Sequence, residues 1–155
     1  MKYREATQLD VLRISDIFQE YYDEASKESE FVQLSGFDIK ASMIKAMETS
    51  MFDAEVLIIA ERGGVIVGFF WGCVFQEFWS GKYIAQDYMI YVSKKHRKGF
   101  IAKRLLSLFE EWALGKGADF TRVGTNSGIN NNIDAGRLYK GSGYTEMGIY
   151  LFKKL

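Results

Sequence analysis

Proline is absent from this chain of 155 residues, cysteine and histidine occur once each, and twenty acidic side chains cancel twenty basic ones. Each shortage removes a class of function. With Cys73 alone there is no disulfide framework and no thiolate zinc site, and with His96 alone a catalytic triad or metal centre has too few members, so no metal is expected. The missing basic excess argues against a nucleic-acid partner. No apolar run approaches the ~20 residues of a membrane span, and the opening MKYREATQLD has no apolar signal core. The expected setting is therefore cytoplasmic, with no membrane partner. Proline's absence also removes the usual punctuation of loops.

The chain does contain an ordinary apolar share, 48%, and an aromatic share of 15%, high enough to predict a ring-lined core or cleft. Its length predicts one domain, residues 1–155, burying roughly two thirds of its unfolded surface. Lys2 to Ala6 reads as a short strand. Thr7 with Asp10 resembles a capping box, and Val11, Ile14, Phe18 and Tyr21 then share a helical face down to about Tyr22. The polar, acidic segment from Asp23 to Gly36 reads as a mobile connection, and 37–51 as a second helix. Glu55 to Glu61 and Val65 to Phe78 form a hairpin around Arg62-Gly63-Gly64, with Gly68 and Gly72 marking a bulge or bend. A strand over 83–92, a helix over 97–114, a strand over 119–124, a short helix from Ile133 to Lys140 and a last alternating strand from Tyr144 to Leu155 complete an α/β (α+β) sandwich: a mixed sheet with helices on both faces.

The stretch QDYMIYVSKKHRKGFIA, residues 86–102, carries the chemistry. An apolar strand passes through Lys94, Lys95, Arg97 and Lys98 into a helix with Ile101, Leu105, Leu108, Phe109 and Trp112 on one face. A helix start presents free N–H groups and the positive end of the dipole, worth about 0.3–1 kcal/mol per charge and up to ~2 when partly buried. Charge-assisted bonds from Arg97 or Lys98 would add to this. A phosphorylated carrier is the ligand such a turn suits.

Taken together, these residues resemble the GCN5-related N-acetyltransferases (GNAT). Val92 stands five residues before Arg97, Arg97 and Ala102 match the family's Arg/Gln-x-x-Gly-x-Gly/Ala signature, and Leu105-Leu106 follow. Downstream, Asn132, Ala135, Leu138, Tyr139, Gly143 and Tyr144 match N-x-x-A-x-x-L-Y-x-x-x-G-[FY]. The departure is Phe100, where the family has glycine, with Gly99 one place early; the register His96-x-x-Gly99 recovers that glycine and loses Arg97 and Ala102 from the pattern. With Phe100 in that place, either its ring turns away from the phosphates or the helix begins later.

The resemblance implies a mostly antiparallel sheet splayed between its fourth and fifth strands, acetyl-CoA as cosubstrate, and direct transfer to an amine in a ternary complex. It puts the cofactor on Ile90, Tyr91 and Val92 of the fourth strand, on Arg97, Lys98, Gly99, Phe100, Ile101 and Ala102 of the turn, and on Asn132, which either caps the short helix or bonds the pantetheine arm. A backbone N–H of Met89 or Ile90 would polarise the acetyl carbonyl. Tyr139 becomes the candidate general acid, its ordinary pKa of ~10 lying just above a thiol's ~8.5.

A lysine-like amine costs about 4.6 kcal/mol to deprotonate at pH 7, so a base is wanted. Gln86, where related enzymes have a carboxylate, cannot accept a proton. Asp87 is adjacent but alternates to the opposite face; Glu77, Glu24, Glu28 and Glu30 are further options. Phe78 and Trp79 are candidates to line the acceptor cleft with Tyr21, Tyr22 and Phe31. The acceptor is a small polyamine-like or aminoglycoside-like amine, or a protein amine, and the acidic 23–30 segment favours a cationic one. A homodimer is left open. So is a second class of function, a CoA-binding or protein-interaction module on the same fold without catalysis, which Phe100 and Gln86 motivate.

Overall fold

The computed structural model describes every residue except Lys98 and Asn126. Strand β1 (Lys2–Glu5) leads through a 3-10 turn at Gln8–Asp10 into α1 (Val11–Glu28), followed by α2 (Glu30–Ser35) and α3 (Ile39–Thr49). The buried Asp10 carboxylate joins this corner: it accepts the Thr7 N–H at 2.9 Å and guanidinium bonds from Arg4 at 2.6 and 2.7 Å and Arg13 at 2.9 Å. Those bonds hold its pKa far below the usual carboxylate range, the Arg4 hydrogen bond most of all.

Strands β2 (Glu55–Arg62), β3 (Val65–Gln76) and β4 (Tyr83–Val92) form an antiparallel meander, and after α4 (Ile101–Gly115) a short β5 (Phe120–Arg122) joins β4 in parallel. The order is β1-β2-β3-β4-β5. Only β4 and β5 are parallel, the crossover through α4 returning the chain to start β5 in the same direction as β4. Helix α5 (Ile133–Gly141) follows a further 3-10 turn at Ile129–Asn132. Gly63 and Gly64 both take positive φ in the β2–β3 hairpin, the conformation a two-residue turn of this kind demands.

Helices cover both faces of the sheet, so β2 is an unbroken apolar run rather than an alternating one. Under α1 and α3 lie Ile14, Phe18, Leu57, Ile59, Phe69 and Trp71. Under α4 and α5 lie Ile58, Phe70, Leu105, Leu106, Phe109 and Tyr139. The β3–β4 ladder slips by one residue, with Trp71 opposite Met89 and Gly72 opposite Asp87, so Tyr88 is a bulge. Among the described residues, no helix is long and apolar enough to cross a membrane.

Two expected segments differ. The 23–36 segment is not a mobile connection: α1 continues to Glu28 because Ala25 is fully buried and Glu24 is bonded to the sheet, and Ser29 then caps α2 by accepting the Val32 N–H at 3.3 Å. Residues 144–155 form no strand. Their alternation is present, but Met147, Ile149 and Leu151 find no sheet face to cover and stay exposed, while Phe152 packs on Phe31 at 5.3 Å between ring centres.

Candidate active site

The turn expected to hold the carrier starts where β4 stops. Ser93 donates its N–H to Val67 at 2.9 Å, a 3-10 turn spans Lys94–His96, and α4 begins at Ile101, four residues later than expected. The Arg104 N–H bonds the Phe100 carbonyl, which leaves the amides of Ile101, Ala102 and Lys103 at the N-terminal end of α4, and among the described residues no side chain caps that end. Phe100 is 82% exposed, so its ring points into solvent rather than over these amides. A Cβ at Gly99 would meet nothing within 4 Å. Ile101 is buried in the core and Ala102 packs beside it. Lys98 lies outside the described residues.

Arg97 does not lie over these amides. Its Nε–H bonds the Val92 carbonyl at 2.8 Å, its two terminal nitrogens grip Glu24 of α1 at 2.6 and 2.5 Å, and its guanidinium sits over the Tyr91 ring at 5.1 Å. The Tyr91 hydroxyl donates to Glu24 at 2.9 Å, and Ser93 donates to Glu20 at 2.7 Å. This bidentate, charge-assisted network ties α1 to the end of β4. Arg97 holds the Glu24 carboxyl below its usual range. Glu24 is therefore the counter-ion of Arg97, not a free base, and Tyr91 has its side chain on the α1 face. Sequence offers no local signal for a pair 73 positions apart.

Beyond the turn, the sheet opens. The β4–β5 ladder ends at Gln86 opposite Arg122, and from Asp87 to Val92 no strand pairs with the β5 side of β4 among the described residues. Ile90 and Val92 line this gap with their main chains, although the Val92 carbonyl is already bonded by Arg97. A cleft enters here between Tyr21, Asp87, Met89, Ile90, Gly124 and Ala135. A larger cavity, about 380 Å³ between the α3–β2 connection and the end of α4, contains none of these groups.

Two catalytic candidates meet across the gap. Tyr139, 4% exposed on α5, donates its hydroxyl to Asp87 Oδ2 at 3.4 Å, while Asp87 Oδ1 accepts the Gly124 N–H at 3.0 Å. Burial pushes the Asp87 carboxyl up to about 6, partly offset by the Gly124 and Tyr139 hydrogen bonds. Burial, with the Asp87 charge second, raises the Tyr139 phenol well above its usual range. Gln86 faces the other way, its amide oxygen held by Arg122, whose guanidinium stacks over Phe75 at 5.5 Å and reaches Glu77 at 3.8 Å.

Asn132 caps nothing with its side chain; Oδ1 accepts the Gly128 N–H at 2.9 Å. It ends a run, Asn130-Asn131-Asn132, with three positive φ angles, a conformation asparagine tolerates better than most residues. Phe78 and Trp79 pack on each other at the exposed β3–β4 tip and are not among the residues lining the cleft. Cys73 is half-buried with its thiol pKa pushed up by burial, and no cluster of three or more metal-ligating side chains occurs among the described residues.

A comparison with curated proteins finds no match. Solved structures do share the fold. An aminoglycoside acetyltransferase, HMB0005, from an uncultured soil metagenomic sample superposes with a TM-score of 0.75 at 19% identity, covering 99% of this chain and 97% of that one. AAC(6′)-Iy in complex with the bisubstrate analogue CoA-S-monomethyl-acetylneamine gives 0.73 at 16%, covering 99% and 97%. A ribosomal-protein-alanine N-acetyltransferase from Brucella melitensis biovar Abortus 2308 gives 0.71 at 17%, covering 99% and 98%. At these identities the likeness speaks for the fold alone. The sequence itself matches the model of the acetyltransferase (GNAT) family over residues 11–144, most of its length, and the chain belongs to that family.

Proposed function

We propose that this chain, as one cytoplasmic domain, transfers an acetyl group from acetyl-CoA to an amine by direct attack in a ternary complex. One observation carries the reading: the β4–β5 ladder stops at Gln86, and Tyr139 and Asp87 meet at the gap just beyond it. The residues present fit the carrier. Among the described residues the start of α4 has no side-chain cap and the main chain of β4 beyond Gln86 is unpaired on the β5 side, open to the pantetheine arm, while the Phe100 ring is turned outward. Acetyl-CoA supplies an activated acyl group and a thiol as leaving group. Ile101 and Ala102 amides hold phosphate oxygens, with Gly99 allowing close approach. The Met89 or Ile90 N–H stabilises charge on the carbonyl oxygen. Tyr139 delivers the proton that the leaving sulfur needs.

An aminoglycoside-like amine or a protein amine is the acceptor class, in line with what the structurally similar enzymes are described as acting on. Isothermal titration with acetyl-CoA is expected to show binding at micromolar concentrations, and Tyr139→Phe to keep that binding while losing roughly 10²-fold or more in turnover. Absence of binding at high micromolar ligand sinks the reading. One feature favours the second reading, a CoA-binding module without turnover: Gln86 stands, tied to Arg122, where a base would serve the amine. CoA release assayed over a broad amine panel separates the two.

A further inference from the structure

Asp87 is turned away from the sheet face on which Gln86 and Arg122 lie, and towards α5. Gln86 alternates with Ala85 and Asp87 along β4, and Ala85 belongs to the core under α4 and α5. An amine arriving over Gln86 therefore has the strand between itself and the Asp87 carboxylate. We propose that Asp87 and Tyr139 form a proton-delivery pair on the leaving-group side of the cleft, with Asp87 resupplying the proton that Tyr139 passes to the departing sulfur. The proposal rests on the acyl-transfer reading above and deepens it; Asp87 is a positioning residue that acts through Tyr139.

The geometry supports such a pair in three ways. Asp87 Oδ1 is pinned by the Gly124 N–H at 3.0 Å, so the carboxyl stays aimed across the gap. Its other oxygen lies 3.4 Å from the Tyr139 hydroxyl. The Tyr139 ring is buried in the α4–α5 core, which leaves the hydroxyl facing Asp87. The groups around Asp87 are Tyr139 from α5, Tyr144 just after it with Glu110 of α4 behind, and Tyr21 of α1 across the cleft; among the described residues, none of these groups is a cation. Among the described residues the pair has no cation beside it to keep the carboxylate ionised, and burial favours the protonated acid.

The step balances. The carbon–sulfur bond of the thioester breaks with its electron pair on sulfur, the Tyr139 O–H proton moves to that sulfur, and the Asp87 carboxyl proton moves to the Tyr139 oxygen. The acceptor nitrogen loses one proton on becoming an amide, and that proton returns through solvent in the cleft to Asp87. The net products are amide and thiol, with both side chains restored.

Carbon-13 NMR of labelled aspartate carboxyls tests the pair without turnover, Asp87→Asn identifying the signal. Asp87 is expected to titrate near pH 6, and Tyr139→Phe to move that midpoint upward, because a hydrogen bond to the carboxylate is lost. A midpoint at the ordinary ~4, or one indifferent to Tyr139→Phe, overturns the proposal. In turnover, the wild type is expected to lose kcat as pH rises above about 6, and Asp87→Asn to keep acetyl-CoA binding, lower kcat about 10–10²-fold and abolish that alkaline fall. An unchanged kcat and pH profile in Asp87→Asn overturns the pair while leaving acyl transfer standing; loss of acetyl-CoA binding in the wild type removes both.

Discussion

At the scale of the residue, the proton-delivery role proposed for Asp87 sets it against stability. Its carboxyl is pushed up to about 6 by burial, so the folded state binds its proton more tightly than the unfolded chain does. The sign follows: the ionised form is penalised in the folded state, and stability is lost as pH rises through 6 and not recovered above it. The penalty is on the order of 3 kcal/mol above that pH. Asp87→Asn, which can accept from Gly124 and donate to Tyr139, is expected to raise the urea midpoint at pH 8 and to change it little at pH 4; an equal effect at both pH values would refute the assignment. Tyr139 was legible from the sequence through the family's L-Y spacing. Its partner was legible only as a neighbour of Gln86, because which carboxylate meets a tyrosine 52 positions away depends on the sheet face each occupies.

At the scale of the element, the bulge at Tyr88 and the glycine opposite Asp87 set the course of β4. Gly72 is pressed between α4 and the neighbouring strand: a Cβ there would come within 2.6 Å of Phe109 Cε2 and 2.7 Å of the Gln86 carbonyl oxygen. One of those contacts is backbone and cannot turn aside, so Gly72→Ala is expected to destabilise the fold by about 1–3 kcal/mol, read as a lowered urea midpoint with an unchanged m-value. A wild-type midpoint would show that the strand relaxes freely. The glycines of β3 announced a bend in the sequence, since they interrupt an otherwise β-branched and aromatic run. The length of α1 was not announced: YYDEASKE is polar in pattern, and it is helical because Arg97 and Tyr91, distant in sequence, hold Glu24.

At the scale of the molecule, one sheet carries two apolar cores, one on each face, and a polar seam where β4 and β5 part. The C-terminal residues contribute little to either core. Met147, Ile149 and Leu151 are each at least 80% exposed, so removal of residues 147–155 is expected to lower the thermal midpoint by less than ~4 °C, about 1 kcal/mol for a chain of this size. A larger fall in a calorimetric scan would mean that the segment is packed in solution.

The sequence by itself determined the architecture and the family. Apolar periodicity specifies which residues can be buried, and glycine pairs specify where the chain must turn; both are local properties, readable without coordinates. The order of the five strands with α1, α3, α4 and α5, the hairpin, the cationic turn after β4 and the Asn132–Tyr139 spacing all belong to this class, whereas α2 and the strand expected at 144–155 do not. Only the tertiary structure decided what the charged groups do. Arg97 was read as a phosphate ligand and is bonded to Glu24; Glu24 was read in a mobile acidic segment and is bonded to the sheet; Asp87 was one carboxylate among several and stands against Tyr139. Ion pairs and hydrogen bonds across a fold have no sequence period, because their partners are chosen by which faces the sheet and helices bring together. The tail marks the converse limit: alternation from Tyr144 to Leu155 is a necessary property of a strand, and without a face to cover it does not make one.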